Sequence, residues 1–415
     1  MSSVTRRKLG DITDSCLGKM LDKEKNKGAF HPYLANYNVR WGEFDLSNVQ
    51  EMKFENHEHE RYGLKYGDLV ICEGGEPGRC AVWRDNVPDM KIQKALHRLR
   101  VKSGFSYDFL YYRILLANRT SELQKYFIGS TIKHLTGVSL KQVEFNFPCH
   151  EEQVSIATVL RSLDKKIELN NRINSELEAM AKTLYNYWFV QFDFPDDSPQ
   201  GQGKPYKTSG GKMVYNPTLK REIPEGWEVA PLSSISGVSN ESVNPADFPE
   251  KLFKHFSIPV FDATNTFGVE RGDTIGSNKF TVKETDLLVS KLNPWFNRVV
   301  YAMGESEQIC STEFVVWRCP NPSIKNFMYM IATSPQFIAH CTQSATGTSN
   351  SHKRVNPNVM MRFDQPFNLK VAEKLGQHLE PILKQLIVNQ RENTKLAQLR
   401  DWLLPMLMNG QVTVK

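Results

Sequence analysis

Two short runs in this 415-residue sequence carry residue types suited to holding an anion. The first is Gly129-Ser-Thr-Ile-Lys-His134. The second, 218 residues on, is Gly347-Thr-Ser-Asn-Ser-His352, which continues into Lys353-Arg354. In each, a glycine is followed by two hydroxyl residues and a nearby base. Backbone amides, hydroxyls and a positive charge can then all donate to a phosphate oxygen. Ser130, Thr131, Lys133 and His134 are therefore candidate contacts, as are Thr348, Ser349, His352, Lys353 and Arg354. The alternative is a structural turn that caps the following segment. Arg79 and Arg298 also correspond, each following a strand-like run and a turn. Their guanidinium forks suit a phosphate or a base edge, or a carboxylate within the fold.

Signatures of catalysis are missing. Asn293-Pro-Trp-Phe296 approaches the Asn/Asp-Pro-Pro-aromatic loop with which an adenine methyltransferase holds a flipped base. It has Trp for the second Pro, and no GxGxxG cofactor loop follows a strand anywhere. A turn is expected there. Glu73-Gly-Gly-Glu-Pro-Gly78 lacks the phosphate-loop pattern and reads as a tight turn between two strands. No Asp…Glu-x-Lys nuclease cluster stands out. The seven cysteines form no CxxC pair, and no Cys/His cluster has zinc-ligand spacing. His57 and His59 sit in an acidic, polar stretch that reads as a solvated loop. No catalytic residue, metal or cofactor is expected.

What must position the candidate residues is a scaffold that the chain builds twice. Ile156, Leu160, Leu163, Ile167, Asn170, Asn174, Leu177, Met180 and Leu184 recur 219 residues later as Leu375, Leu379, Ile382, Leu386, Asn389, Asn393, Leu396, Leu399 and Leu403. The spacing, mostly 4-3-4-3, puts each set on one narrow seam of a long helix. From Ile156 to Leu184 such a helix is about 43 Å long. The two seams are expected to pack antiparallel, so that Asn170 and Asn174 face Asn389 and Asn393 as a polar layer. Buried asparagines weaken a coiled coil but reject slipped registers. The alternative is that they mark where the seam turns to solvent. Exchanging Asn170 and Asn389 for leucine is expected to raise thermal stability and loosen register. Pro381 removes one helix hydrogen bond and is expected to kink or interrupt the second helix.

The fold class is therefore α/β with an internal pseudo-two-fold repeat: two globular regions joined by two long antiparallel coiled-coil helices. The expected boundaries are a globular region over 1–150, a helix over 151–192, a linker over 193–226, a second globular region over 227–368 and a closing helix over 369–415. Asp68-Leu-Val-Ile-Cys72, Cys80-Ala-Val-Trp83, Asp286-Leu-Leu-Val-Ser290 and Phe314-Val-Val-Trp317 read as strands. Residues 107–127 read as one helix, and the Pro/Gly-rich stretch after 193 as a linker or exposed loop. The helices repeat closely while the globular regions have diverged, as expected if the helices share one job and the globular regions have two targets.

Hydrophobic content of 40% and charged content of 24% fit a folded protein, and no apolar run approaches the length of a membrane span. With no signal-peptide pattern at its start, the chain is expected to be cytoplasmic. The net charge of +6 permits a polyanion partner without requiring one. Globular units at the ends of such a rod are separated by about one turn of B-DNA, ~34–36 Å, which fits a DNA site read in two parts. A rod joining two protein-binding modules would look the same.

Several stretches together resemble the DNA-specificity subunits of type I restriction–modification systems, over essentially the whole chain. Phe145-Asn-Phe-Pro-Cys-His-Glu-Glu-Gln153, Ile156-Ala-Thr-Val-Leu160 and Asp164-Lys-Lys-Ile167 look like that family's entry into its central helix. Tyr187-Trp-Phe-Val-Gln-Phe-Asp-Phe-Pro195 looks like the exit. Gly203-Lys-Pro-Tyr-Lys-Thr-Ser-Gly-Gly-Lys-Met213 and Glu222-Ile-Pro-Glu-Gly-Trp227 resemble the lead into a second recognition domain. The resemblance implies a non-catalytic subunit with two target-recognition domains, each reading half of a split double-stranded DNA site. It also implies paired helices that serve as spacer and docking surface for two methyltransferase subunits, further restriction/translocase subunits, and no membrane partner. The second helix entry, Phe363-Asp-Gln-Pro-Phe-Asn-Leu-Lys370, lacks the Glu-Glu-Gln. The competing class is a two-headed protein-binding adaptor, indifferent to DNA sequence.

Overall fold

The computed structural model describes residues 4–414 except 23, 25 and 348–351. The chain divides into two compact units, Met1–Lys166 with Leu396–Lys415, and Ile167–Lys395. Both cuts fall inside a long helix, because the helices run His150–Tyr185 and Leu369–Met408. Each unit thus takes a share of both helices.

In the first unit a four-stranded sheet has the order Thr13–Leu17, Leu96–Val101, Leu69–Cys72, Cys80–Val82, all neighbours antiparallel. A second sheet pairs Ala29–Leu34 antiparallel with Gln50–Phe54 and parallel with Lys91–Ile92. Strand Thr5–Lys8 closes the region by pairing with Glu144–Phe147, just before the long helix. The second unit repeats this plan. Its four-stranded sheet has the order Gly237–Ser239, Phe314–Arg318, Asp286–Ser290, Val299–Tyr301. Leu252–Phe256 pairs antiparallel with Gly268–Arg271 and parallel with Gln308–Cys310, and two further short strands extend that sheet.

The shared plan has a shared anchor. Asp68, 1% exposed, accepts from Arg100 Nε and Nη2 at 2.8 and 2.7 Å and from the Lys65 amide. Asp286, 0% exposed, accepts from Arg318 Nε and Nη2 at 2.9 and 3.0 Å and from the Lys283 amide. In both units this carboxylate opens a central strand and its arginine comes from the neighbouring one. A fork-on-carboxylate pair satisfies the buried carboxylate with a half-buried guanidinium and pins the register between the two strands.

The helix expected over 107–127 is two pieces, Tyr107–Arg119 and a 3-10 turn over Glu122–Tyr126. Ser121 separates them at a φ of +60°, which a helix cannot contain. The stretch after residue 193 is ordered and carries an antiparallel hairpin of Met213–Asn216 with Arg221–Pro224. Phe192, Phe194, Tyr206 and Trp227 pack there, with ring centroids 4.8–5.4 Å apart. Aromatic area outweighs the local turn chemistry of the prolines and glycines.

The C-terminal helix runs unbroken through Pro381. Both Pro381 and Gln377, whose carbonyl loses its partner, are exposed, so water can take over the missing bond. Leu379 and Leu383 on either side are buried in the second unit's core. Met180 and Leu399 are exposed, at 57% and 43%. Past Leu177 the buried line moves to Ala181 and Tyr185, and near the chain's end it moves to Leu404 and Leu407. A helix of 3.6 residues per turn drifts off a strict 3.5-residue seam. In the first unit the helix ends are tied by Arg400 Nη1 to Asp164 Oδ1 at 2.7 Å, with Tyr112 donating to the other carboxylate oxygen.

The four asparagines join across the helices in the second unit as two antiparallel pairs. Asn170 donates to Asn393 Oδ1 at 2.9 Å, and Asn389 to Asn174 Oδ1 at 2.8 Å. Asn170 also donates to Glu392, and Asn393 to Asn171. Asn170 and Asn389 are therefore not partners, and exchanging those two for leucine would take the donor away from the Oδ1 of Asn393 and from that of Asn174.

Two neighbouring buried groups on the helix Pro322–Ala332 bind it to the sheet side of this unit and to the long C-terminal helix. Lys325, 1% exposed, donates to the Ala302 carbonyl at 2.6 Å and to that of Glu284 at 2.5 Å. Next to it, Asn326 links Tyr301 Oη to the Gly376 carbonyl. Burial pushes the Lys325 ammonium down to about 8, against 10.5 for an ordinary lysine. At this group the unfolded chain then holds more protons between those two values, so the contribution of Lys325 to stability should rise with pH across that window. The check is denaturant unfolding at pH 8 and pH 10, in wild type and Lys325→Met. The variant should lack that increment, and equal increments in the two proteins would remove the assignment.

Candidate nucleic-acid interface

In the first unit, Ile128 and His134 exchange backbone hydrogen bonds of 2.8 and 2.9 Å, which closes a tight loop. Gly129, at a φ of +104°, makes this possible, since a Cβ there would lie 2.2 Å from the Ile132 carbonyl oxygen. Ser130, Thr131 and Lys133 are exposed on the loop and His134 is half-buried. The Leu135 amide then donates to the Glu73 carbonyl at 2.7 Å, docking the loop on the turn between strands Leu69–Cys72 and Cys80–Val82. His134 packs over that turn closely enough that a Cβ on Gly74 would meet its Nδ1 at 2.9 Å. Beneath, His97 Nε2 stands 3.6 Å from Glu73 Oε2, and burial pushes this imidazole below its ordinary range.

The second unit builds the same constellation. Thr346 and Arg354 exchange hydrogen bonds of 2.9 and 2.8 Å, and the Val355 amide donates to the Lys291 carbonyl at 3.0 Å. The structural counterpart of His134 is therefore Arg354, not His352. The second loop is two residues longer, 347–353 against 129–133. His352 is exposed and Lys353 half-buried. Thr348 and Ser349 lie outside the described residues. Asn293 ties this loop to its turn, with its amide donating to Lys353 O at 2.7 Å and its Oδ1 accepting from Lys353 N at 3.0 Å.

Arg79 and Arg298 hold the third side of each constellation. Arg79 Nη2 donates to Asn36 O and Oδ1, both at 3.1 Å, and Asn36 Nδ2 donates to the Gly74 carbonyl. Its Nη1 pairs with Glu76 at 3.3 Å. Arg298 makes a two-pronged pair with Asp262 at 2.5 and 2.8 Å. In both units the arginine clamps the turn to the segment that follows the first strand of the second sheet. Arg354 is likewise engaged, two-pronged on Glu313 at 2.9 and 3.1 Å, which raises its guanidinium above the usual range.

Asn293–Phe296 is a tight turn. Pro294–Phe296 forms one turn of 3-10 helix, flanked by Asn293 and Asn297, each at a φ of +47°. Its two aromatics are exposed at the surface, a placement that no short-range pattern in the sequence signals. The partners Asn36 and Asp262 carry no sequence signal, because the contact spans dozens of residues. Among the described residues, the one acidic and histidine group close enough to share a metal is Glu55, His57 and Glu58. The Glu58 carboxylate there is already held by Lys19 Nζ at 2.5 Å.

Residues 1–179 match the family profile described as the type I restriction modification DNA specificity domain. The specificity subunit of the type I restriction enzyme MjaIX from Methanocaldococcus jannaschii is 28% identical over 367 residues, covering 84% of this chain and 78% of that protein. The specificity subunit of the type I restriction enzyme HindI from Haemophilus influenzae is 23% identical over 435 residues, covering 89% and 90%. The crystal structure of a type I restriction–modification S subunit from M. genitalium shares the fold. It has a TM-score of 0.61 at 16% identity, covering 98% of this chain and 96% of that one. No helix among the described residues is long and apolar enough to cross a membrane.

Proposed function

We propose that the chain is a DNA-specificity subunit of a type I restriction–modification system, like the relatives it resembles, and that its two units read the two halves of a split duplex site. It is a non-catalytic subunit that gives its complex DNA sequence specificity. In the proposed assembly the paired helices space the two readers and dock two methyltransferase subunits, with restriction/translocase subunits completing a cytoplasmic complex.

The observation that carries this reading is the duplication itself. One sheet order, one buried carboxylate–arginine anchor and one loop-on-turn constellation occur twice. The loops differ in length and in residue type. Identical readers suit a symmetric site, whereas a shared scaffold with divergent loops suits two different half-sites. Sequencing of base modification in cells carrying this chain with its methyltransferase subunit tests it directly. A methyl-adenine motif split by a fixed gap should appear, and should vanish when this chain alone is deleted. An unchanged methylation pattern, with the complex assembled, would leave the two-headed adaptor.

Lys133, exposed in the first loop and without an ion-pair partner among the described residues, is assigned to a phosphate. Lys133→Ala should weaken binding on every sequence and lower the salt slope by about one unit, while leaving the motif intact. Titrations at several salt concentrations give both numbers. A changed motif with an unchanged slope would make Lys133 a base contact instead.

A further inference from the structure

Trp295 and Phe296 stand at the tip of the Asn293–Phe296 turn, 37% and 59% exposed, with ring centroids 5.9 Å apart. Isolated apolar residues at a surface are ordinary. What sets these two apart is how firmly they are held. Pro294 is buried beneath them and fixes its own φ. Asn293 and Asn297 hold the turn at positive φ, and Asn293 bonds to the Lys353 backbone. The Arg298 guanidinium lies 4.5 Å from the Phe296 ring centre and is itself locked on Asp262. The rings are therefore presented with little freedom left to lose on binding.

Their neighbours favour a polyanion. The turn is fastened to the loop 346–354, which carries His352, Lys353 and Arg354, and it begins beside Lys291. Neither Lys291 nor Lys353 has a carboxylate partner among the described residues. An apolar partner protein would meet these two ammoniums at a desolvation cost, whereas a duplex meets the lysines with phosphates and the rings with base faces. The corresponding turn of the first unit, Glu73-Gly-Gly-Glu-Pro-Gly78, has no aromatic residue.

We propose that Trp295 and Phe296 form an aromatic wedge that the second unit sets against the bases of double-stranded DNA, unstacking one step of its half-site. Apolar side chains inserted between base pairs kink the duplex, and each ring–base stack adds affinity with little dependence on sequence. The wedge rests on the DNA-reading function proposed above, and it belongs to one half of the chain only.

The test uses the complex of the full chain with its methyltransferase subunits. The probe is a duplex bearing the methylated motif, with 2-aminopurine placed in turn along each half-site. Apart from the target adenines that the methyltransferase subunits flip out, wild type should raise the fluorescence at one step of one half-site. Trp295→Ala with Phe296→Ala should abolish that rise and weaken binding about tenfold or more, with the salt slope unchanged. Trp295→Phe should retain most of both, which separates stacking from misfolding. Affinity, motif and fluorescence all unchanged in the double alanine variant would overturn the wedge. So would loss of the methyltransferase subunits from that variant, which would make the turn a protein contact. A wild-type complex with no preference for the motif duplex would instead sink the DNA-reading function itself.

Discussion

Asp286→Ala should cost the second unit about 1.5–3 kcal/mol, because it strips a half-buried guanidinium of the fully buried carboxylate that both its Nε and Nη2 bond. Arg318 places both Nε and Nη2 on this carboxylate, and the ion pair holds that guanidinium above its usual range. Glu241, exposed at the surface, pairs with Arg318 at 2.8 Å but cannot fill the cavity. The Lys283 amide would be orphaned as well. Urea unfolding of the purified chain measures the loss, and Asp68→Ala should act alike on the first unit through Arg100. Replacing both partners, Asp286→Leu with Arg318→Met, should recover much of the stability, since an apolar pair leaves no charge behind. A single-variant loss under 1 kcal/mol would show that water reaches the pair and that it does not anchor the register.

Across the helices, a single exchange and a paired one should have opposite signs. Asn389→Leu alone leaves the Oδ1 of Asn174, a residue 8% exposed, without its donor, although Asn174 Nδ2 still donates to the Leu386 carbonyl at 3.4 Å. An unsatisfied buried amide costs about 1–3 kcal/mol. Asn174→Leu with Asn389→Leu leaves neither group unpaired and should unfold at a higher temperature than wild type. The double variant should pay in uniqueness, since leucine faces leucine equally well in a slipped register. A cysteine pair placed across the two helices reports that register. Stabilisation by the single exchange would show that the pair is not buried in solution. A register unchanged in the double variant would move the specificity to Asn170 and Asn393.

The contrast between these two devices separates what is local in the sequence from what is not. The asparagines were visible because helix periodicity is a short-range rule, and two copies of one pattern checked each other. The repeat itself, the strands at 68–72, 80–83, 286–290 and 314–317, and the absence of a nucleotide or nuclease motif were readable for the same reason. Two departures from the helix pattern come from solvent and helical geometry. Pro381 lies in an unbroken helix because Gln377, whose carbonyl it leaves unpaired, is exposed to water while Leu379 and Leu383 pack. Met180 and Leu399 left the seam because the true helical repeat drifts away from sevens.

For the candidate interface, composition and spacing by themselves determined the two loops and the corresponding arginines 79 and 298. Only the tertiary structure assigned those arginines to Asn36 and Asp262, replaced His352 by Arg354 as the counterpart of His134, and brought Trp295 and Phe296 up beside the basic loop. A side chain's type limits what it can bind. Whether an arginine is free for a phosphate depends on which carboxylate or carbonyl the fold brings within 3 Å of it, and that partner lies dozens of residues away in the chain.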